Sequence, residues 1–374
     1  MFNSKLPALG LIWLMLSLGR CSADQWLPEF MISYWGCPQN DAVARVAEQA
    51  GFNTVICPRE KLDLCRKHGL KAIVTGVTAP EAAELSEDPA VWGYFVMDEP
   101  GEPPTVAETV AKFHQADVHR PAYVNLMAWE DLDRYLSTVQ PRVLSYDYYQ
   151  WWWNRAVYFD RLEVHRAAAL QAGIPLIVWV EANSDPRWEW GEKGQTWLPD
   201  NLSKLRHSVY CALAYGAKGI QWFNEYLIFQ CDSQRRPLPR LRRAGRDVAT
   251  INAELNLLGP VLINLRSTDV FHTTPLPQGT QQVPPACHLQ PVGCNWLLGL
   301  FADSRHREYA MLVNRDYTSP RWAVVALAGD LHRVDKLNCT TGEWDSLPVT
   351  QIQGRRAVEF IVAAGKGELL RYWQ

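Results

Sequence analysis

From residue 29 to about 266, short apolar runs alternate with segments in which apolar positions recur every three or four residues. This is the pattern of strand-helix units that lay a parallel sheet against a layer of helices. Eight units can be counted, with strands expected at 31–35, 52–57, 70–76, 92–97, 122–127, 143–146, 175–180 and 218–223. Helices are expected at 61–69, 106–117, 159–172, 201–215 and about 249–265, besides one that Asn40 caps and Gly51 stops; Pro260 sits inside the last. Eight units over a span close to the ~250 residues typical of a TIM barrel give the expected fold class, a (β/α)8 barrel. An open doubly wound sheet is the alternative, but no glycine-rich phosphate turn follows an early strand.

After Asp269 the period changes. Runs at 309–314, 321–327, 358–362 and 368–373 read as strands, with a turn at 340–343, so 267–374 is expected to form a small C-terminal β-sandwich behind a barrel spanning 24–266. The Pro, Gln, Gly and Thr of 274–285 read as a linker or a long loop.

Residues 1–23 read as an export signal: Lys5 begins it, 6–18 is apolar, and Cys21, Ser22 and Ala23 offer a small-residue cleavage site. The expectation is a secreted or periplasmic protein; lipid anchoring at Cys21 fits less well because Arg20 precedes it. No later run reaches the ~18 apolar residues of a spanning helix, so no stable membrane insertion is expected after signal removal. Net charge is −3 and no basic run stands out, which argues against a nucleic-acid partner. Of nine cysteines, eight remain beyond Cys21; an oxidising compartment would permit disulfides among them, although Cys211 on an apolar helix face reads as a buried thiol. Neither CxxC nor HExxH occurs, so no metal or other cofactor is expected.

The chemistry is expected where strands run out into the following loops, at the carboxyl-terminal mouth. Residues there are Tyr34 and Trp35 after strand one, Asp98 and Glu99 after four, Asn125 in five, Asp147, Tyr148 and Tyr149 after six, Trp179, Glu181 and Asn183 at seven, and Trp222, Asn224 and Glu225 at eight. A carboxylate ending a buried strand costs several kcal/mol in desolvation unless it is paired, so Glu99 and Glu181 need a reason to be there. Glycoside hydrolysis supplies one, because it needs one carboxyl protonated and another ionised. Seventeen tryptophans in 374 residues add to the picture. Trp35, Trp129, Trp151, Trp152, Trp153, Trp179, Trp188, Trp190, Trp197 and Trp222 fall at strand ends or in loops on the mouth side, where flat apolar faces suit stacking on sugar rings. Trp92, inside a strand, reads as packing.

Glutamates at strands four and seven of such a barrel resemble the pattern of clan A glycoside hydrolases. The barrel with its C-terminal β-domain is similar to the family 42 β-galactosidase-like and family 158 endo-β-1,3-glucanase-like groups. The resemblance implies Glu99 as general acid/base, Glu181 as nucleophile, and retention through a covalent glycosyl-enzyme on a β-linked oligo- or polysaccharide. It also marks a departure: Asp98 stands where clan A enzymes usually carry an asparagine that donates to the sugar 2-hydroxyl. Other readings stay open. Glu225 rivals Glu181, Asp98 would fit a non-catalytic carbohydrate-binding barrel, and Asp98, Asp147 and Glu225 together would fit a metal-assisted hydrolase.

Overall fold

The computed structural model describes residues 27, 29–127, 131–185 and 197–373. The expected signal segment lies outside them. Eight parallel strands form the barrel: β1 (Met31–Tyr34), β2 (Thr54–Pro58), β3 (Lys71–Thr75), β4 (Val91–Asp98), β5 (Ala122–Met127), β6 (Leu144–Asp147), β7 (Leu176–Glu181) and β8 (Gly219–Phe223). Between them run α1 (Asp41–Gln49), α2 (Leu62–Lys67), α3 (Ala79–Glu84), α4 (Pro104–Ala116), α5 (Leu132–Val139), α6 (Tyr158–Ala172) and α7 (Asn201–Ala214).

The hydrogen-bonded ladder runs from β1 through β8 and back to β2. Asn53 stitches the remaining seam: its backbone N donates to the Ile32 carbonyl at 3.0 Å, its Oδ1 accepts from Ile32 N and its Nδ2 donates to the Phe30 carbonyl, both at 2.8 Å. Alternation along the strands sorts the two faces. Met31, Ile73, Tyr123, Ile177 and Trp179 fill the barrel interior, while Ile32, Val55, Val74, Val178 and Ile220 face the helices. Asn40 caps α1 as expected, with its side chain accepting from Val43 N.

One insertion was not legible as structure. Between β8 and the last helix come α8 (Glu225–Ile228) and a hairpin of β9 (Phe229–Cys231) and β10 (Pro237–Leu241). The last helix, α9 (Arg243–Leu262), starts six residues before the expected 249 and runs through Pro260. A stretch rich in arginine and proline carries no apolar period, which is why it reads as a loop.

The remaining strands are antiparallel. They are β11 (Arg266–His272), β12 (Leu289–Pro291), β13 (Trp296–Ala302), β14 (Glu308–Asn314), β15 (Arg321–Leu327), β16 (Arg333–Leu337), β17 (Trp344–Leu347), β18 (Thr350–Ile352), β19 (Arg355–Val362) and β20 (Gly367–Trp373). They build a six-stranded sheet, β11-β13-β14-β20-β16-β17, over a four-stranded one, β12-β15-β19-β18, with their own apolar core. The six-stranded sheet packs its other face on α7, and its Leu297, Phe301, Met311 and Val313 join the barrel core. Gly299 is needed there, because a Cβ would stand 2.1 Å from the Ala214 carbonyl oxygen. All eight described cysteines are free thiols, and Cys211 is fully buried. Among the described residues no helix is long and apolar enough to cross a membrane.

Candidate active site

At the end of β4 the chain bends sharply. Glu99 N extends the ladder by one bond, to the Asn125 carbonyl at 2.9 Å, and then Glu99 adopts φ 45°, ahead of Pro100. A residue preceding proline is pushed toward extended backbone, and a side chain in the left-handed region costs roughly 1–2 kcal/mol. Such strain persists where the surroundings hold it, and it turns the Glu99 side chain out of the strand's alternation.

Asp98, within the ladder, accepts from Asn125 Nδ2 at 3.0 Å. Asn125 is in turn held by Ser145 Oγ at 3.1 Å, and Ser145 by the Tyr123 hydroxyl and by Trp179 Nε1 at 3.1 Å. Tyr123 also donates to Gln221 on β8. A polar chain therefore crosses the barrel from β8 to β4 and ends on Asp98. Desolvation holds the Asp98 carboxyl above its ordinary range, with the Asn125 bond opposing it.

Asp147, ending β6, is 2 % exposed. Burial first, and then the Glu99 charge, push its carboxyl up to about 8; the Tyr149 hydroxyl donates to it and pulls the other way. Glu99 is raised by desolvation and by the Asp98 charge, and a hydrogen bond from Asp147 opposes that rise. Asp147 is thus the protonated donor and Glu99 the acceptor. The two carboxyls share one proton, and Asp147 Oδ1 has no partner among the described residues. Neighbouring carboxyls that cannot ionise together are the usual means of holding one acid protonated at neutral pH.

Glu181 ends β7 fully buried. Its Oε1 accepts from Trp151 N at 3.0 Å, and its Oε2 has no partner among the described residues. Burial pushes it up to about 8, against the backbone bonds and the Arg155 charge. The loop that seals it is braced from a distance. Trp151 Nε1 donates to Ser208 Oγ at 3.0 Å, and Arg155 lies over the Trp151 ring at 4.3 Å. Tyr317 of the C-terminal sandwich meets Trp151 edge-on at 4.8 Å and accepts from Arg155 Nη1 at 3.1 Å. Tyr149 and Trp151, expected at the mouth as sugar-facing aromatics, instead serve the carboxyls, and Arg155 and Tyr317, which the sequence did not point to, brace them. Tyr149 and Trp151, two and four residues beyond Asp147, carried a local signal; Arg155 and Tyr317 carried none.

The other expected residues divide. Trp35 remains at the mouth, 5.7 Å from the Phe95 ring and 5.5 Å from Trp179. Trp179 itself is a floor residue, 1 % exposed and bonded to Tyr123. Tyr148 is tied by its hydroxyl to the Asn154 carbonyl at 2.7 Å. Asn183 is 2 % exposed beside Trp152, whose Nε1 donates to the Asn183 carbonyl at 2.9 Å. Tyr34 and Trp222 do not belong to the mouth. Strand parity points both at the helix layer, where Tyr34 packs on Phe52 and Phe229 and Trp222 Nε1 donates to Asn252 on α9 at 2.9 Å. Glu225 is pulled behind the rim, where its Oε2 accepts from Cys37 N at 3.1 Å against the bare Cα of Gly36; burial raises it to about 7. Among the described residues no three metal-ligating side chains are placed to hold a metal ion. Trp129, Trp188 and Trp190 lie outside the described residues, and of the remaining loop tryptophans Trp153 is the exposed one, at 42 %.

No protein family matches the chain by sequence, and no curated protein does. Solved structures do match its fold. A glycoside hydrolase family 5 protein from Bacteroides vulgatus has a TM-score of 0.58 at 12 % identity, covering 92 % of this chain and 88 % of its own. A family 27 β-L-arabinopyranosidase from Geobacillus stearothermophilus has a TM-score of 0.52 at 10 % identity, covering 94 % and 99 %. A maltogenic α-amylase from Thermotoga neapolitana has a TM-score of 0.51 at 9 % identity, covering 92 % and 99 %. At these identities the likeness is one of fold: a barrel with a β-domain behind it.

Proposed function

We propose that this chain is a glycoside hydrolase, acting at the carboxyl cluster of its barrel mouth on a β-linked glycan with retention. The observation that carries the proposal is the group of Asp98, Glu99 and Asp147: three carboxyls, one of them buried, with no described cation neutralising them. Acids gathered without counter-charge store instability, and such shifted groups concentrate at reaction sites. Enzymes of this fold work at the mouth where these residues stand.

In this reading Glu99 is the acid. The proton it shares with Asp147 passes to the glycosidic oxygen as the leaving group departs, while Glu181, having first given up to water the proton that burial holds on it up to about pH 8, attacks the anomeric carbon as a carboxylate. Glu99, now ionised, then takes a proton from the water that attacks the glycosyl-Glu181 ester, and the free sugar and both carboxyls are restored. Trp151 N holds one Glu181 oxygen and leaves the other for the attack. Trp35 and Trp153 offer ring faces to the sugar.

A second reading has its own support. Glu181 is sealed, whereas the charges acting on Glu99 and Asp147 come from each other and from Asp98. This favours Asp98 as the ionised partner. One experiment separates the two. Glu181→Gly and Asp98→Gly variants, incubated with azide and a cleavable aryl glycoside, should yield a glycosyl azide only where the nucleophile has been removed. Hydrolysis left intact in Glu99→Gln would sink both.

A further inference from the structure

Beside the mouth lies a cleft lined by Asn183, Trp197, Gln230, Cys231, Arg242 and Arg243. Between Gln230 and Arg246 the chain carries six arginines against one acidic residue, Asp232, in a protein whose net charge is −3. The arginines are interrupted by proline and leucine, so they do not read as a run, and the hairpin β9–β10 gathers them.

Two of them belong to the cleft. Arg242 is anchored by its Nε on the Phe229 carbonyl at 2.9 Å, and Arg243 lies over the Trp197 ring at 5.3 Å. Neither has a carboxylate partner among the described residues. The single acid of the segment, Asp232, is taken by Arg236 at 2.7 Å. Asp247, one turn beyond Arg243, accepts instead from Trp197 Nε1 at 2.8 Å and Asn201 Nδ2 at 2.7 Å.

Both arginines also stand at the start of α9, a 20-residue helix with no side-chain cap and no acidic residue in its first turn. The amino end of a helix already carries partial positive charge, so arginines there oppose folding unless an anion joins them. An independent observation points the same way. Asn183, 2 % exposed and lining the cleft, uses its Oδ1 on Asp185 N at 3.1 Å, while its Nδ2 donates to no described group.

We infer that this cleft binds an anionic group of the substrate, a uronic acid carboxylate or a sulfate ester, on Arg242 and Arg243 with the Asn183 amide and the start of α9. The proposal rests on the glycosidase reading and narrows it to acidic glycans. Guanidinium forks bind carboxylate and sulfate oxygens in pairs, and Asn183 stands two residues beyond Glu181, so the anion is read next to the reacting carboxyls.

The test is calorimetric. The full-length Glu99→Gln protein, which keeps ligands intact, is titrated with three sets of oligosaccharides matched in length: uronate-containing, sulfate-bearing and neutral. One acidic set should bind at least about tenfold more tightly than the neutral set at low salt, an advantage that shrinks as ionic strength rises. Arg243→Gln, added at an exposed position, should remove most of that advantage; Arg243→Glu should reverse it, and Arg242→Gln should weaken it if the protein folds. The set that responds tells carboxylate from sulfate. Neutral sugars binding as well as both acidic sets would overturn the anion site and leave the glycosidase reading standing. An acidic preference untouched in every arginine variant would place the anion elsewhere and overturn it too. Binding by none of the three sets would overturn the glycan reading and this inference with it.

Discussion

Asp117 and Asp147 are equally buried, at 1 % and 2 % exposure, and they titrate in opposite directions. Asp117 lies under the helix layer. Burial would raise its carboxyl, but the Tyr94 hydroxyl at 2.7 Å, His119 N at 2.8 Å, Arg120 N at 3.1 Å and the Arg120 guanidinium at 3.2 Å outweigh burial and lower it. Asp335 in the sandwich is similar, clamped by Arg333 at 2.8 Å and Arg371 at 2.9 Å and lowered against burial. Asp147 has only the Tyr149 hydroxyl and its own backbone N–H, against the charges of two other acids, Glu99 and Asp98. Burial alone therefore does not mark a working residue; the absence of compensation does.

The comparison is broken most forcefully by activity. Glu99→Gln keeps the shape of the Asp147 partner but removes the carboxyl through which the shared proton is delivered, so turnover should fall by about 10²–10⁴ while the melting temperature stays within a degree or two. Initial rates with an aryl glycoside, alongside thermal melts, read both. A melt that drops as far as the rate would return Glu99 to the structural acids.

Next in size is stability. Asp117→Ala takes the counter-ion from Arg120 and the acceptor from the His119 and Arg120 backbone N–H groups, while Tyr94 keeps the Ala82 carbonyl and Arg120 the Val91, Ser86 and Asp88 carbonyls, and it should cost about 3 kcal/mol. Asp147→Asn removes an ionisable group from a site that disfavours its charge, so its unfolding free energy at pH 7 should equal or exceed the parent's, with activity reduced. Urea unfolding of the two variants decides. If Asp147→Asn loses as much as Asp117→Ala, the cluster is a scaffold.

The pH dependence sharpens the same contrast. The folded state keeps Asp147 protonated up to about pH 8, whereas the unfolded chain ionises it above about 4. Through that window the unfolded state holds fewer protons, so stability falls as pH rises; Glu181, raised to about 8, adds to the fall. Asp117 works the other way, and its contribution is lost only as pH drops through its lowered value. Asp147→Asn should therefore flatten the decline between pH 5 and 8 and leave the acid limb unchanged. A parent protein whose stability is level from pH 5 to 8 would contradict the raised values.

How far the sequence carried this picture depends on the range of the interactions. The barrel was legible because period and strand-end chemistry are local, and β5 begins and ends where its apolar run does. Placing Asp98, Glu99, Asp147 and Glu181 at strand ends needed only that reading. What each one touches did not follow from it. The Glu99 turn into the left-handed region, held by the Asn125 carbonyl, and the Tyr317 brace that reaches from the sandwich to the Trp151 loop depend on contacts far apart in the chain, whereas the arginines of 235–246 are gathered by a local hairpin that carries no apolar period. Tyr34 and Trp222 were misplaced for a local reason: each is one residue out of phase with the inward positions of its strand.

That phase gives the smallest and most specific effect. Trp222→Phe removes the indole donor from Asn252 Oδ1 and should cost about 1–3 kcal/mol of stability with KM unchanged, since the ring faces α9. Trp153→Ala, at a ring 42 % exposed that packs on Tyr148 and Tyr149, should cost about 1 kcal/mol in stability yet raise KM, because the ring's open part is what a sugar would stack on. Melts and saturation kinetics on both variants test the sorting. Should Trp222→Phe raise KM while Trp153→Ala lowers only the melting temperature, the inward and outward faces have been assigned the wrong way round, and the cleft would have to be sought on the other side of the strand ends.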